Sequence, residues 1–218
     1  MLISNLLNSQ VLYKQFIITG IGTDIGKTVV SAIVAQSLDA SYWKPIQAGD
    51  LENSDSIKVQ NWTTDSVTVL PEAFRLSQPM SPHAAAEIDG VEIAKEAFQL
   101  PLLEGNLVVE GAGGLMVPLN RKGLLLIDLF EEWNLPVIVV SRHYVGSINH
   151  TLLTFEALKN RKINIEGIVF VGDENKATES FILNYTNLKM IARIPLTNEV
   201  NTAFIQNQAR ILKEATVL

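Results

Sequence analysis

Cysteine is absent from all 218 residues. That absence excludes disulfides, thiolate metal sites and a cysteine nucleophile, including the one a class I glutamine amidotransferase needs. It makes the cytoplasm the simplest compartment to expect. Long apolar runs are missing too: "PVIVV" and "GLLLIDL" fall far short of the roughly 20 residues a helix needs to cross a bilayer. Positive charge is in deficit, since 17 Lys and Arg against 23 Asp and Glu leave a formal charge of -6. Neither nucleic acid nor an anionic membrane is therefore an expected partner. The leader "MLISNLLNSQVLYK" lacks a basic n-region and a small-residue cleavage site, so no signal peptide is expected. Residues 1–14 read as an extension ahead of one domain, residues 15–218.

What is present is a core. Hydrophobic residues make up 47% of the chain and charged residues 18%, a balance that suits a compact globular protein. Short apolar, β-branched runs recur: "QFIIT", "SYWK", "NLVVE", "PVIVVS" and "IEGIVFV". Apolarity without alternation marks strands buried on both faces. Helical periodicity separates several of them, at residues 28–38, more weakly at 92–100, and at 127–133 and 149–159. Strands alternating with helices predict an α/β fold, a mostly parallel central sheet with helices on both faces. Residues 47–91, rich in Asn, Ser, Thr, Asp and Pro, read as a long connection with one helix at most, and such connections are often functional.

In sheets of this kind ligands bind beyond the carboxyl ends of the strands, and the chemistry-bearing residues cluster there. "GIGTDIGKT", Gly20 to Thr28, is a phosphate loop one residue longer than the usual G-x-x-x-x-G-K-[ST]. Its backbone N–H groups and the following helix N-terminus would converge on phosphate oxygens. Lys27 would supply a point charge, and the Thr28 hydroxyl could ligate Mg²⁺. Lys44 follows the second strand and Glu110 ends the third, backed by the glycines of "EGAGG". Asp55 sits in "NSDS", where a helix N-cap is the plain alternative. Together Thr28, Asp55 and Glu110 supply the hard oxygens a Mg-nucleotide requires. His83, in "SPHAAAE", reads as a structural hydrogen-bonder rather than a base. "VGSINH" reads as a helix start, with Ser147 or Asn149 free to cap and N–H groups open to a carboxylate.

These motifs, in this order, resemble the dethiobiotin synthetase family: "GIGTDIGKT", "KPIQAG", "NSD", "SPHAAAE", "VVEGAGGLMVPL", "LPVIVV" and "GSINHTLLT". The resemblance runs from about residue 16 to residue 195 and implies a single-domain P-loop NTPase fold. It further implies a homodimer that uses ATP, Mg²⁺ and CO₂ or bicarbonate to close a cyclic urea on 7,8-diaminononanoate. By resemblance Lys27, Lys44 and Thr23 are catalytic. Gly22, Thr23, Asp24, Ile25, Gly26, Lys27, Thr28 and Val29, with Glu110, Gly111, Ala112 and Gly113, would hold the nucleotide. Thr28, Asp55 and Glu110 would hold Mg²⁺, and Lys44 and Ala48 would face the reacting end of the substrate. Gly146, Ser147 and Asn149 would grip its distal carboxylate across the dimer interface.

Three positions depart from the family pattern. Asp24 stands where Glu is frequent, Ala48 where a hydroxyl is frequent, and Val171 where many members carry an Asn that reads adenine. Asp173, Asn175 or backbone near Pro195 would then read the base. Two other P-loop classes stand beside this reading. Cobyrinate-type amide synthetases commonly append a glutaminase with the cysteine missing here. Partition-type switch ATPases carry an extra lysine early in the loop, where this chain has Gly22.

Overall fold

The structure, a computed structural model, describes residues 13–215 and 217–218. The expected extension therefore lies outside the described residues except for Tyr13 and Lys14. Gln15–Gly20 forms β1, and every residue from Phe16 to Gly20 is buried. Successive strand residues point to opposite faces, so this strand is covered on both sides. A glycine loop leads into α1, Lys27–Leu38, then β2, Ser41–Trp43.

The stretch expected to be mainly a connection is more ordered than its composition suggests. It holds β3, Ile46–Ala48, α2, Asp55–Trp62, β4, Thr68–Leu70, β5, Phe74–Leu76, and α3, Pro82–Asp89. Its strands are three residues long, too short to show a period. Its helices are announced by their ends instead. The Ser54 hydroxyl accepts from Ile57 N–H at 3.3 Å, Pro82 opens α3, and Gly90 closes it at φ 64°, the left-handed position glycine suits.

Beyond it come β6, Leu107–Glu110, α4, Leu126–Trp133, β7, Val137–Arg142, α5, Ser147–Asn160, and β8, Ile165–Val171. The helix expected at 92–100 does not form; a single 3₁₀ turn spans Lys95–Ala97. The buried residues there, Ile93 and Phe98, are five apart, a spacing that does not share one helical face. Three elements had no expectation: α6, Lys176–Thr186, β9, Met190–Ile194, and α7, Thr202–Glu214.

Seven strands form one sheet in the order β4-β2-β6-β1-β7-β8-β9, with every pairing parallel. β3 and β5 pair separately, also in parallel. β1 lies centrally, with β6 on one side and β7 on the other, and the glycine loop leaves its carboxyl end. Helices α1, α2 and α7 pack on one another, and α5 packs on α6. Each fully buried Ile or Leu in this core is worth about 1.5–3 kcal/mol over exposure. No helix among the described residues is long and apolar enough to cross a membrane.

Candidate active site

Register brings the charged residues together. On the adjacent parallel strands β2 and β6, Tyr42 pairs with Val108 and Trp43 with Val109. One further step along both strands sets Lys44 level with Glu110. On the other side of β6, Ile18 of β1 pairs with Glu110, so the phosphate loop starts beside the same carboxylate. A Cβ on Gly20 would fall 2.4 Å from Ile25 Cδ1, which is why the loop folds so closely over its strand.

Glu110 is the hub. Its Oε1 accepts from Thr28 Oγ1 at 2.9 Å and from Lys44 Nζ at 3.1 Å. Its Oε2 accepts from the Tyr42 hydroxyl at 2.8 Å. Lys44 also donates to Asp55 Oδ2 at 2.6 Å, so a buried ammonium bridges two carboxylates from different elements. Burial pulls the Lys44 pKa down, but Glu110 and Asp55 overrule it and leave it above the ordinary lysine value. Burial likewise pushes Asp55 up, and Lys44 outweighs it, so the carboxyl sits below its ordinary value. Asp55 is the first residue of α2 rather than its cap, a role Ser54 takes.

Lys27 differs. Its Nζ donates to the carbonyl of Gly22 at 2.6 Å, closing the loop on itself, and burial lowers its pKa to about 8 despite the nearby Glu110 charge. Gly26, at φ 96°, is the N-cap of α1 with no side-chain cap, so first-turn N–H groups face the loop, as anion binding requires. Among the described residues no group of three or more His, Cys, Asp or Glu could hold a metal ion. The carboxylates of Asp55 and Glu110, gathered around the Lys44 ammonium, and the Thr28 hydroxyl on Glu110 fit Mg²⁺ if phosphate and water complete the shell.

A cavity of about 510 Å³ opens beside this cluster, lined among others by Thr23, Asp24, Lys44, Ala48, Asp55 and Gly113. Ile46, Pro79, Met80 and Val117 give it apolar walls. Gly146 and Ser147 are not part of it. They line a second cavity, about 440 Å³, with His143, Tyr144 and Asn175, and Asn149 is exposed beside it. The expected caps do not act: Gly146 at φ 98° is the N-cap of α5, with no side-chain bond, and the Ser147 N–H donates back to the Tyr144 carbonyl at 3.0 Å.

Sequence relatives settle the family. A family model described as an AAA domain matches residues 14–203. The ATP-dependent dethiobiotin synthetase BioD of Christiangramia forsetii is 57% identical over 182 residues, 83% of this chain and 87% of that protein. The chain belongs to the dethiobiotin synthetase family. The enzyme of the same name from Rhodopseudomonas palustris is 47% identical over 200 residues, covering 89% of this chain and 93% of that one. The fold is also that of the septum site-determining protein MinD of Pyrococcus horikoshii, solved with Mg-ADP, at TM-score 0.54 and 12% identity over 94% of this chain and 91% of that chain. As a dethiobiotin synthetase family member, the chain is an ATP-dependent ligase.

Within this synthetase frame, Val171 is buried, and a Cβ on Gly26 would lie 3.3 Å from its methyl groups. It packs under the phosphate loop and offers no hydrogen bond to a base. Of its expected substitutes, Asn175 caps α6 through Thr178 N–H at 3.0 Å, and Asp173 is exposed. Three further polar groups hold the site and its surroundings together without a motif of their own that marks the role. Tyr42 reads as a plain strand residue, although it lies two before Lys44 and so on the same strand face. Gln47, in the lysine-proline motif, accepts from Asp55 N–H at 3.3 Å and donates to the carbonyl of Gly49 at 2.9 Å. Glu179 accepts from His143 Nε2 at 2.9 Å and Asn175 N–H at 3.1 Å, and pairs with Arg193. No motif spacing announces that junction.

Proposed function

We propose that the chain carboxylates 7,8-diaminononanoate and closes it to dethiobiotin, with residues 15–218 as one catalytic domain acting in the cytoplasm. One amine attacks CO₂ to give a carbamate and a proton. A carbamate oxygen takes the γ-phosphoryl group of ATP, releasing ADP and leaving a carbamic-phosphoric anhydride. The second amine then attacks the anhydride carbonyl, expels phosphate and closes the five-membered urea. The substrate supplies both nucleophiles, so no cysteine is needed.

One observation carries the reading: Lys44, buried and bridged to Asp55 and Glu110, borders the same cavity as Thr23 and Asp24 of the phosphate loop. Carbamate phosphorylation brings two anions together, and fixed cations facing them lower that barrier. Lys44 meets the carbamate and the transferring phosphoryl group. Lys27 exchanges the Gly22 carbonyl for phosphate oxygens, aided by Thr23 and the amides of the loop. Thr28, Asp55 and Glu110 would hold Mg²⁺, which neutralises β- and γ-phosphate charge when bound. The apolar wall of Ile46, Pro79 and Met80 suits the alkyl chain.

The separation of Gly146, Ser147 and Asn149 from this cavity supports a homodimer in which the partner's α5 meets the distal carboxylate. Exposed Val145, Leu153, Phe181 and Tyr185 on and beside α5 and α6 form an apolar surface a second copy could cover. Phosphate release from Mg-ATP with bicarbonate should depend on the diamine. Release indifferent to the diamine would point to a switch ATPase instead.

A further inference from the structure

We propose that Tyr42 is a positioning residue for Glu110, committing one carboxylate oxygen to the interior so that the other is presented to Thr28, Lys44 and a metal-nucleotide. The proposal rests on the synthetase reading of the same site. The two oxygens of Glu110 have divided surroundings. Oε1 accepts from Thr28 and Lys44, both of which face the phosphate end of the site. Oε2 accepts from Tyr42, whose side chain is fully buried within β2.

Burial makes this bond decisive. The Glu110 side chain is 0% exposed, so bulk water does not reach Oε2, and an unpartnered carboxylate oxygen there would be strongly disfavoured. Without a donor behind it, Glu110 would rotate to share Thr28 or Lys44 between its oxygens. That would take those groups from their ligand-facing positions.

Geometry explains why a tyrosine serves here. Tyr42 pairs with Val108, two residues short of Glu110 on the neighbouring strand, so a long side chain must reach forward with a donor at its tip. Phenylalanine would fill the same volume and keep β2 in place, but it would leave Oε2 alone. Carboxylates that ligate metals depend on such outer partners, whose loss typically costs about 10–100-fold in metal affinity or activity.

The test reads ADP binding by calorimetry across a Mg²⁺ titration, without turnover. Tyr42→Phe, Glu110→Gln and a control, Trp43→Phe, are compared with wild type, and thermal denaturation confirms that each is folded. Trp43 donates to the carbonyl of Pro71 at 3.1 Å from the same strand, so its variant reports general loosening of β2. Expected is unchanged metal-free affinity in Tyr42→Phe with a Mg²⁺ requirement raised about 10–100-fold, while Trp43→Phe matches wild type. A wild-type Mg²⁺ requirement in Tyr42→Phe, alongside its loss in Glu110→Gln, overturns the proposal alone. An equal rise in Trp43→Phe also overturns it, since a strand-wide effect would then suffice. Mg²⁺-independent binding by wild type overturns the metal reading of the site and this proposal with it.

Discussion

The Lys44 ammonium lies 2.6 Å from Asp55 Oδ2 and 3.1 Å from Glu110 Oε1, with almost no exposure to solvent. On the proposed function it serves stability and chemistry at once. Lys44→Ala would leave two carboxylates facing each other without their cation, a change that costs about 3–5 kcal/mol. We expect turnover to be lost and the melting temperature to fall by roughly 6–20 °C for a chain of this size. Thermal denaturation of the purified variant checks this, and an unchanged melting temperature would remove the structural half of the role.

Lys27 predicts a different signature, because its ammonium is held by a loop carbonyl rather than a carboxylate. Lys27→Ala should retain the fold and abolish turnover. A melting temperature lowered as far as that of Lys44→Ala, or near-normal turnover, would contradict this.

The pH dependence of nucleotide binding follows from the same lysine. In the free protein burial brings its pKa to about 8, so it is charged below that pH and neutral above it. Phosphate favours the charged form. Binding above pH 8 therefore takes up a proton, and affinity should fall with rising pH, approaching about tenfold per unit for one linked proton. Calorimetry in buffers of different ionisation enthalpy would measure the uptake. An affinity flat from pH 7 to 9.5 would contradict the shift.

Val171 bears on the choice of nucleotide. A site that hydrogen-bonds a base edge can reject analogues by about 10⁴–10⁵, whereas apolar contact discriminates only about 10–200-fold. GTP and CTP should therefore support turnover within about 200-fold of ATP, read as kcat/KM for each. Val171→Asn should widen the gap. Stringent selection of ATP by the wild type would mean that other groups read the base.

Glu179 ties together the loop after β7, the start of α6 and β9. Removing a buried, charged acceptor of this kind costs about 2–3 kcal/mol. Glu179→Ala should speed hydrogen exchange in residues 143–149 and raise KM for the diamine more than it lowers kcat. Equal exchange rates in wild type and variant would show that the junction does not hold this loop.

How much of this was legible in sequence depended on the length of the signal. Five strands and the helices after the phosphate loop, before β7 and after it show as apolar runs or periods. β3, β4 and β5 are as short as β2 but lie in a polar stretch without its apolar run, and α2 and α3 on either side of β4 and β5 are marked only by their ends. The phosphate loop, Lys44, Asp55 and Glu110 were legible because their spacing is local or their motifs distinctive. Tyr42 and Glu179 were not, since each acts through a partner more than 30 residues away, met across the β2–β6 register by Tyr42 and between a loop and α6 by Glu179.

On the proposed function, ATP is spent to insert one carbon between two amines of the substrate. Purified protein with Mg-ATP, ¹³C-bicarbonate and 7,8-diaminononanoate should release one phosphate for each labelled cyclic urea, followed by mass spectrometry beside a phosphate assay. Phosphate release without labelled product, or at the same rate when the diamine is withheld, would contradict it.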